Sequence, residues 1–284
     1  MDLSQVLIST MMVQLQGHNN APVDENMFRH MALNTIRSLN VKFRGSYGQL
    51  VIACDDRYSW RRDVFPLYKA KRKDDKKKSE VDWDTVHRHM NRVKNDLYEF
   101  FPYKVIRVPG AEADDVIGVL VAAYAAAEKI LIVSGDKDFI QLHTYANVDQ
   151  YDPTHRGGPR KKDKGLKTTE DPVQFLREHI LHGDSGDGIP NVLSDDDALI
   201  NPDKKQSPLT KKRMEAILSG QCDGDVLARL RRNRTLIDLR EIPKTVEDAI
   251  IAEYNSQAPG DRSKLMDYMM ANRMKHLMET LSDF

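Results

Sequence analysis

The chain predicts an α/β core with a mostly parallel sheet flanked by helices, followed by a helical C-terminal half. Three observations carry this. Apolar runs of strand length occur at 49–54 (QLVIAC), 103–108 (YKVIRV) and 129–134 (KILIVS). Stretches of helical periodicity lie between them, the alternation that builds parallel sheets. After about residue 168 no strand-like run appears. The 284 residues allow one large domain or two smaller ones, with a division into a core at 1–167 and a helical part at 168–284.

Gln5 to Leu15 and Asn26 to Leu39 read as helices, with Phe28, Met31, Thr35 and Leu39 on one face of the second. The run QLVIAC ends in Asp55-Asp56, as a buried strand with carboxylates at its C-terminal end would. Lys69 to Glu80 is charged and lacks apolar periodicity, so it reads as a mobile or loosely held segment. Val86, Met90, Val93, Leu97 and Phe101 recur at helical spacing and predict a helix over 83–101. The second strand stops at Pro109-Gly110, and a helix follows from Glu112 to about Ala127. The third strand ends at Gly135-Asp136, and Asn147 to Tyr151 is a candidate fourth. Asp171-Pro172 is a helix start, Asp at the cap and Pro in the first turn, and Gly183 is its end. Pro243 to Tyr254 and Lys264 to Leu281 are further helices, the last with a methionine stripe suited to adaptable packing.

Several classes are excluded. The longest nearly apolar stretch, Val116 to Ala127, falls short of the ~20 residues of a membrane helix. The opening Met1-Asp2-Leu3-Ser4 has no basic n-region, so no secretory signal is expected. Cys54 and Cys222 support neither a disulfide framework nor a zinc motif, which fits a reducing, cytoplasmic setting. No GxxxxGK[ST] loop occurs. His179 and His182, three apart at a helix end, read as polar helix-end groups rather than ligands. The charges balance, 43 basic against 43 acidic, but they are segregated. Basic residues crowd 69–78 (KAKRKDDKKK) and 156–167 (RGGPRKKDKGLK), while acids cluster in short motifs. That division suits a chain that grips phosphate in one place and cations in another.

The acids follow a pattern. Asp55 and Asp56 follow the first run, Glu112, Asp114 and Asp115 the second, and Asp136 and Asp138 the third. Asp2 stands where a preceding strand would end, and the turn 183–188 (GDSGDG) adds Asp184 and Asp187. Parallel sheets present their chemistry at the C-terminal ends of strands. So many carboxylates at one edge need a counter-charge, and a divalent metal supplies it. Two such ions can activate water and stabilise the leaving oxygen of a phosphodiester.

The order and spacing of Glu112-Ala113-Asp114-Asp115, Ser134-Gly135-Asp136-Lys137-Asp138-Phe139 and Gly183-Asp184-Ser185-Gly186-Asp187 resemble the 5′ nuclease/flap endonuclease superfamily, in particular its T-even-type phage ribonuclease H branch. Trp60-Arg61-Arg62-Asp63, Tyr68-Lys69 with Arg72, and a final Asp-Phe extend the likeness along nearly the whole chain. The resemblance implies a PIN-like 5′ nuclease core. It implies that Asp2, Asp55, Glu112, Asp114, Asp136 and Asp138 hold two Mg2+ ions, replaceable by Mn2+, with Asp184 and Asp187 at the more distant one. Lys69 and Arg72 would face the scissile phosphate at the base of an arch formed by 69–80. Arg61, Arg62, Tyr68, Lys204, Lys205 and Lys211 would contact nucleic acid, with Trp60 or Tyr68 stacking on an unpaired base. A helix–turn–helix-like element near 183–200 would grip the duplex, although its acids at 195–197 would repel phosphate.

The implied activity is 5′ to 3′ exonuclease and flap cleavage on RNA–DNA and DNA duplex 5′ ends, removing RNA primers, by a monomer with no membrane partner. The replication single-stranded-DNA-binding protein is the implied protein partner, with 264–284 as its contact. Only Met1 precedes Asp2, where relatives carry a strand, so either the start lies upstream or Asp2 is loosely held. The short N-terminus motivates a rival reading, a catalytically weak DNA-binding or scaffolding protein that keeps the fold. A small PIN-like ribonuclease is a third, disfavoured by the helical half and the 183–188 turn.

Overall fold

Two pairs of parallel strands, joined through the first two residues, form the sheet on which the chain packs. β1 (Val51–Ala53) pairs with β2 (Lys104–Ile106), and β3 (Ile130–Val133) with β4 (Val148–Tyr151). Met1 and Asp2 lie between the pairs. Ala53 N–H donates to the Met1 carbonyl at 2.8 Å, and Asp2 N–H donates to that of Val133 at 3.1 Å. The spatial order is therefore β2, β1, Met1-Asp2, β3, β4. The structure is a computed structural model that describes residues 1–17, 24–154, 171–258 and 262–284. The basic run at 156–167 lies outside the described residues.

In chain order the helices among the described residues are α1 (Leu3–Gly17), α2 (Glu25–Tyr47), α3 (Arg61–Val64), α4 (Ala70–Lys78), α5 (Trp83–Phe100), α6 (Ala113–Tyr124), α7 (Pro172–His182), α8 (Lys211–Leu218), α9 (Gly224–Ile237), α10 (Lys244–Ser256), α11 (Ser263–Ala271) and α12 (Lys275–Met278). None is long and apolar enough to cross a membrane. Each strand occupies the middle of its apolar run, and the fourth candidate is a strand. Successive strand residues point to opposite faces. Ile52, Val105 and Val133 pack with α1, α2 and α5. Ala53, Ile106 and Ile132 pack on the other side with α6 and α10, against Val116 and Ile250. Helices on both faces leave the ends of the strands free for chemistry. The two apolar clusters draw residues from both sides of position 168.

Three sequence expectations change. Residues 69–80 are not a loop, because α4 occupies Ala70–Lys78. Its long, unbranched side chains favour helix without an apolar stripe. Lys69 starts it in a left-handed conformation, φ 57°, and Lys76 Nζ reaches His87 Nε2 on α5 at 2.7 Å. The expected helix–turn–helix-like element is also absent as such. α7 ends at His182, 184–200 runs as turns, and the next helix begins at Lys211. Finally, 264–284 is broken at Arg273, φ 55°, instead of forming one helix.

One face of that last segment packs into the core. Met269 and Met274 are buried, although Met266 and Met270 are exposed. Tyr268 donates to Asp96 at 2.8 Å, and Arg29 bridges Asp96 at 3.1 Å and Asn272 at 2.7 Å. Phe284 packs edge-on against Phe101 at 5.3 Å, and Arg37 and Asp283 pair at 2.5 Å. Removing 264–284 would open this cluster, so it would not selectively remove a partner contact. Phe284→Ala should destabilise the fold by about 3–5 kcal/mol, the usual cost of emptying a buried aromatic site. A urea-unfolding midpoint unchanged from wild type would contradict this placement.

Candidate active site

Four carboxylates converge at the C-terminal ends of the strands. Asp2 ends the two-residue central segment, Asp55 follows β1, Asp114 lies in the first turn of α6, and Asp136 follows β3. Backbone N–H groups and a hydroxyl orient three of them. Gln5 N–H donates to Asp2 Oδ1 at 3.0 Å, and Ser134 Oγ lies 3.3 Å from Asp2 Oδ2. Ala113 N–H donates to Asp55 at 2.9 Å, and Asp138 N–H to Asp136 at 3.0 Å. Asp2 is thus held on both sides by the sheet and by α1, so it is not loose. That answers the expectation of a loosely held Asp2.

The nearby cations are committed elsewhere. Arg61 and Lys69 pair with Glu112, and Lys137 with Asp184. Among the described residues the four central carboxylates have no ion pair. Burial, with Asp55 next, pushes Asp2 up to about 7. Burial and the nearness of Asp2 push Asp114 well above the usual carboxylate range. An added cation would offset the cost of holding Asp2 and Asp114 as anions. The cluster's donors are all oxygens, the set that suits a hard divalent ion.

A second group brackets this cluster. Arg61 is buried, 3.1 Å from Glu112, 2.8 Å from Asp115, and donates to the Leu236 carbonyl at 2.8 Å. Tyr68 Oη lies 2.8 Å from Glu112 and 2.9 Å from Asp187, and its single proton serves one at a time. Lys69 Nζ lies 2.5 Å from Glu112 and 3.6 Å from Asp187, and Arg72 also pairs with Asp187. Burial alone would raise Glu112, yet Lys69 and Arg61 hold it down to about 2. Trp60 donates to Asp115 at 3.2 Å.

Several expected roles change as a result. Arg61, Tyr68 and Trp60 are 3%, 2% and 7% exposed, so none presents its side chain to nucleic acid. They hold Glu112, Asp115 and Asp187 instead. Glu112 and Asp187 engage Lys69 and Arg72, which keeps these cations beside the central acids. Arg62, Lys205 and Lys211 are exposed. Lys204 pairs with Asp195 at 3.1 Å and Asp197 at 2.7 Å. The acids at 195–197 are less repulsive than the sequence suggests, because Arg229 and Arg232 also pair with Asp195 and Asp196.

A third group went unread in the sequence. Asp138, Asp184 and His179 bring their ligand atoms within 4.8 Å of one another. His179 lies on the last turn of α7, before the Gly183 turn. At Gly183, φ 68°, a Cβ would meet the Ile189 carbonyl at 2.3 Å, so only glycine lets the chain reverse and return Asp184 to the histidine. The available signal was the spacing of His179 to Asp184 across that turn, not its spacing to His182, which is exposed.

Acids gather at parallel strand ends beside a basic helix, and comparison with known proteins places the chain among the structure-specific 5′ nucleases. The chain belongs to the 5′-3′ exonuclease family. Residues 12–173 match its N-terminal resolvase-like domain, and residues 174–284 match the family described as T4 RNase H, C terminal. Its relatives include ribonuclease H of Enterobacteria phage T4, 31% identical over 296 aligned residues that span 100% of this chain and 94% of that protein. Flap endonuclease Xni of Shewanella oneidensis is 32% identical over 139 residues, 48% of this chain and 49% of that protein. A T5 5′-exonuclease structure with bound divalent metal ions (zinc) shares the fold, with TM-score 0.59 and 18% identity over 90% of this chain and 96% of that one.

Two outcomes follow from this geometry. Arg61→Met strands Asp115 and should cost about 3–5 kcal/mol of stability. Duplex affinity of the folded variant should match wild type, and a selective loss of affinity in binding titrations would return Arg61 to the surface role. The second concerns pH. Asp2 titrates higher in the folded state than its ordinary 3.8, so the folded form holds a proton that the unfolded form has lost, and stability falls as pH rises between these values. The metal-free melting temperature should therefore decline from about pH 5 to about pH 6, above which the buried Met1 amino group, lowered by burial to about 6, loses its proton in the fold and opposes the trend; Mg2+ should raise the melting temperature at neutral pH. A metal-free melting temperature that climbs over this range would contradict the assignment. Glu112 contributes the opposite slope only in acid, losing its stabilisation as pH falls from its ordinary 4.5 through about 2.

Proposed function

We propose that the chain is a Mg2+-dependent 5′ to 3′ exonuclease and flap endonuclease. It acts on the 5′ ends of RNA–DNA and DNA duplexes, as in removal of RNA primers during lagging-strand replication. The observation that carries this is the uncompensated central cluster of Asp2, Asp55, Asp114 and Asp136 next to Lys69 and Arg72. Divalent ions held by these acids, with Asp138, Asp184 and Asp187 serving the more distant one, would supply Lewis acidity toward water and the phosphodiester.

The chain's own groups then do the following. Lys69 and Arg72 rest on Glu112 and Asp187 until a phosphodiester arrives. Both can shift a hydrogen bond to its non-bridging oxygens, which orients the phosphorus and offsets charge that grows during attack. Tyr68 holds Glu112 and Asp187 in place and Arg61 holds Glu112, so the two cations stay preorganised. The helix α4 forms one side of the passage for a single-stranded 5′ end. Exposed Arg62, Lys205 and Lys211, with Lys204 released from its acids, contact duplex phosphates. These contacts carry no base code, so cleavage is structure-specific and sequence-independent.

The double variant Asp136→Asn/Asp138→Asn should lose at least about a thousandfold in cleavage of a 5′-labelled flap while still binding it, since the added amides cannot replace charged ligands. Cleavage that persists in the double variant would show that the acids named here are not the reaction centre.

A further inference from the structure

His179 sits among the acids, yet the nuclease reading gives it no task. Its side chain is 6% exposed, and its ring stacks on Phe175 with centroids 5.6 Å apart. Nε2 lies 3.1 Å from Asp138 Oδ1 and 3.5 Å from Asp184 Oδ2. Despite that closeness, neither His179 Nε2 nor Asp138 Oδ1 makes a hydrogen bond among the described residues. The ring nitrogen is near the carboxylates but is not aimed for N–H donation. Buried polar atoms are rarely left so, because each one costs its desolvation.

The separations have a simple geometric reading. Donor atoms about 2.1 Å from one ion lie about 3.0 Å apart along an octahedral edge and about 3.4 Å apart along a tetrahedral one. Both distances from Nε2 lie close to this range, so a single ion could take all three groups as ligands after small adjustments. Asp184 is anchored for this role, since its Oδ1 accepts N–H groups of Gly186 at 2.8 Å and Asp187 at 3.2 Å, which leaves Oδ2 facing His179. Lys137 Nζ, 2.8 Å from the same Oδ2, is half-exposed on a flexible stem and can withdraw when a cation takes its place.

We propose that His179 is a nitrogen ligand of the outer divalent-ion site, with Asp138 and Asp184, and that it biases this site toward Mn2+-like ions over Mg2+. This rests on the nuclease reading only in that the acids hold ions at all. The physical reason is ligand hardness. Mg2+ selects oxygen donors and keeps its waters, whereas an imidazole binds transition ions more readily. The inner site, built from carboxylates alone, has no such bias. The two ion sites of this chain would therefore differ in metal preference, with the outer one set by a single side chain of α7.

Pulsed EPR of the full chain with Mn2+ added tests this. The wild type should show 14N modulation from a directly bound imidazole. His179→Asn and Asp184→Asn should each lose it, and His179→Asn should bind Mn2+ about tenfold or more weakly at one site while Mg2+ affinity changes far less. Absence of 14N modulation in Mn2+-loaded wild type, or its survival in folded His179→Asn, would overturn the proposal. The wild-type spectrum decides even where a variant fails to fold. Flap cleavage in Mg2+, measured on the same wild-type protein, separates the two readings. Cleavage without 14N modulation refutes only the histidine ligand, and 14N modulation without cleavage refutes only the nuclease.

Discussion

Carboxylates crowded at one edge of a parallel sheet repel one another, and the surrounding structure is arranged around that repulsion. The protein answers it in two ways. Glu112, Asp115 and Asp187 are compensated internally by Arg61, Lys69 and Arg72. Among the described residues Asp2, Asp55, Asp114 and Asp136 have no such partners, and burial makes the charge of Asp2 and Asp114 costly. The division is what gives the site its chemistry. The compensated set is rigid and holds cations ready for phosphate, while the uncompensated set has a standing demand for metal.

The fold supports this with short-range devices. Backbone N–H groups of Gln5, Ala113 and Asp138 each hold one carboxylate. The Met1-Asp2 segment fills the gap between two strand pairs, so the acid that ends it is fixed by ladder bonds on both sides. Left-handed Lys69 turns the chain sharply from Tyr68 into α4, and its N–H donates to the Asp187 carbonyl at 2.7 Å. That single turn ties the basic helix to the 183–188 turn and to the centre at once. The C-terminal residues, far from the chemistry, close the core over α2 and α5 through Arg29, Asp96, Tyr268 and Phe284.

Much of the site was legible because its spacing is local. Asp55, Asp114 and Asp136 follow strands whose apolar runs stand out, and the end of a parallel strand is a predictable place. The misread residues share a cause. Arg61 and Tyr68 look like surface groups for phosphate and bases, since an arginine beside an aromatic in a polar stretch gives no sign of burial. His179 looked idle because its partners, Asp138 and Asp184, lie forty-one residues before it and across a glycine turn after it. α4 lacked the apolar stripe by which helices are recognised, and polar contacts tie it down instead, Arg72 to Asp187 and Lys76 to His87.

From the sequence alone come the α/β class, the order of strands and helices, the set of acids and the nuclease family, because periodicity, strand ends and motif spacing are properties of neighbouring residues. Tertiary structure alone decided which acids are paired and which are left bare, that Arg61 is buried, that Met1-Asp2 completes the sheet, and that His179 faces Asp138 and Asp184. Each of these depends on distances between residues remote in the chain. Desolvation and Coulomb energy are set by those distances and by burial, which composition and spacing do not contain.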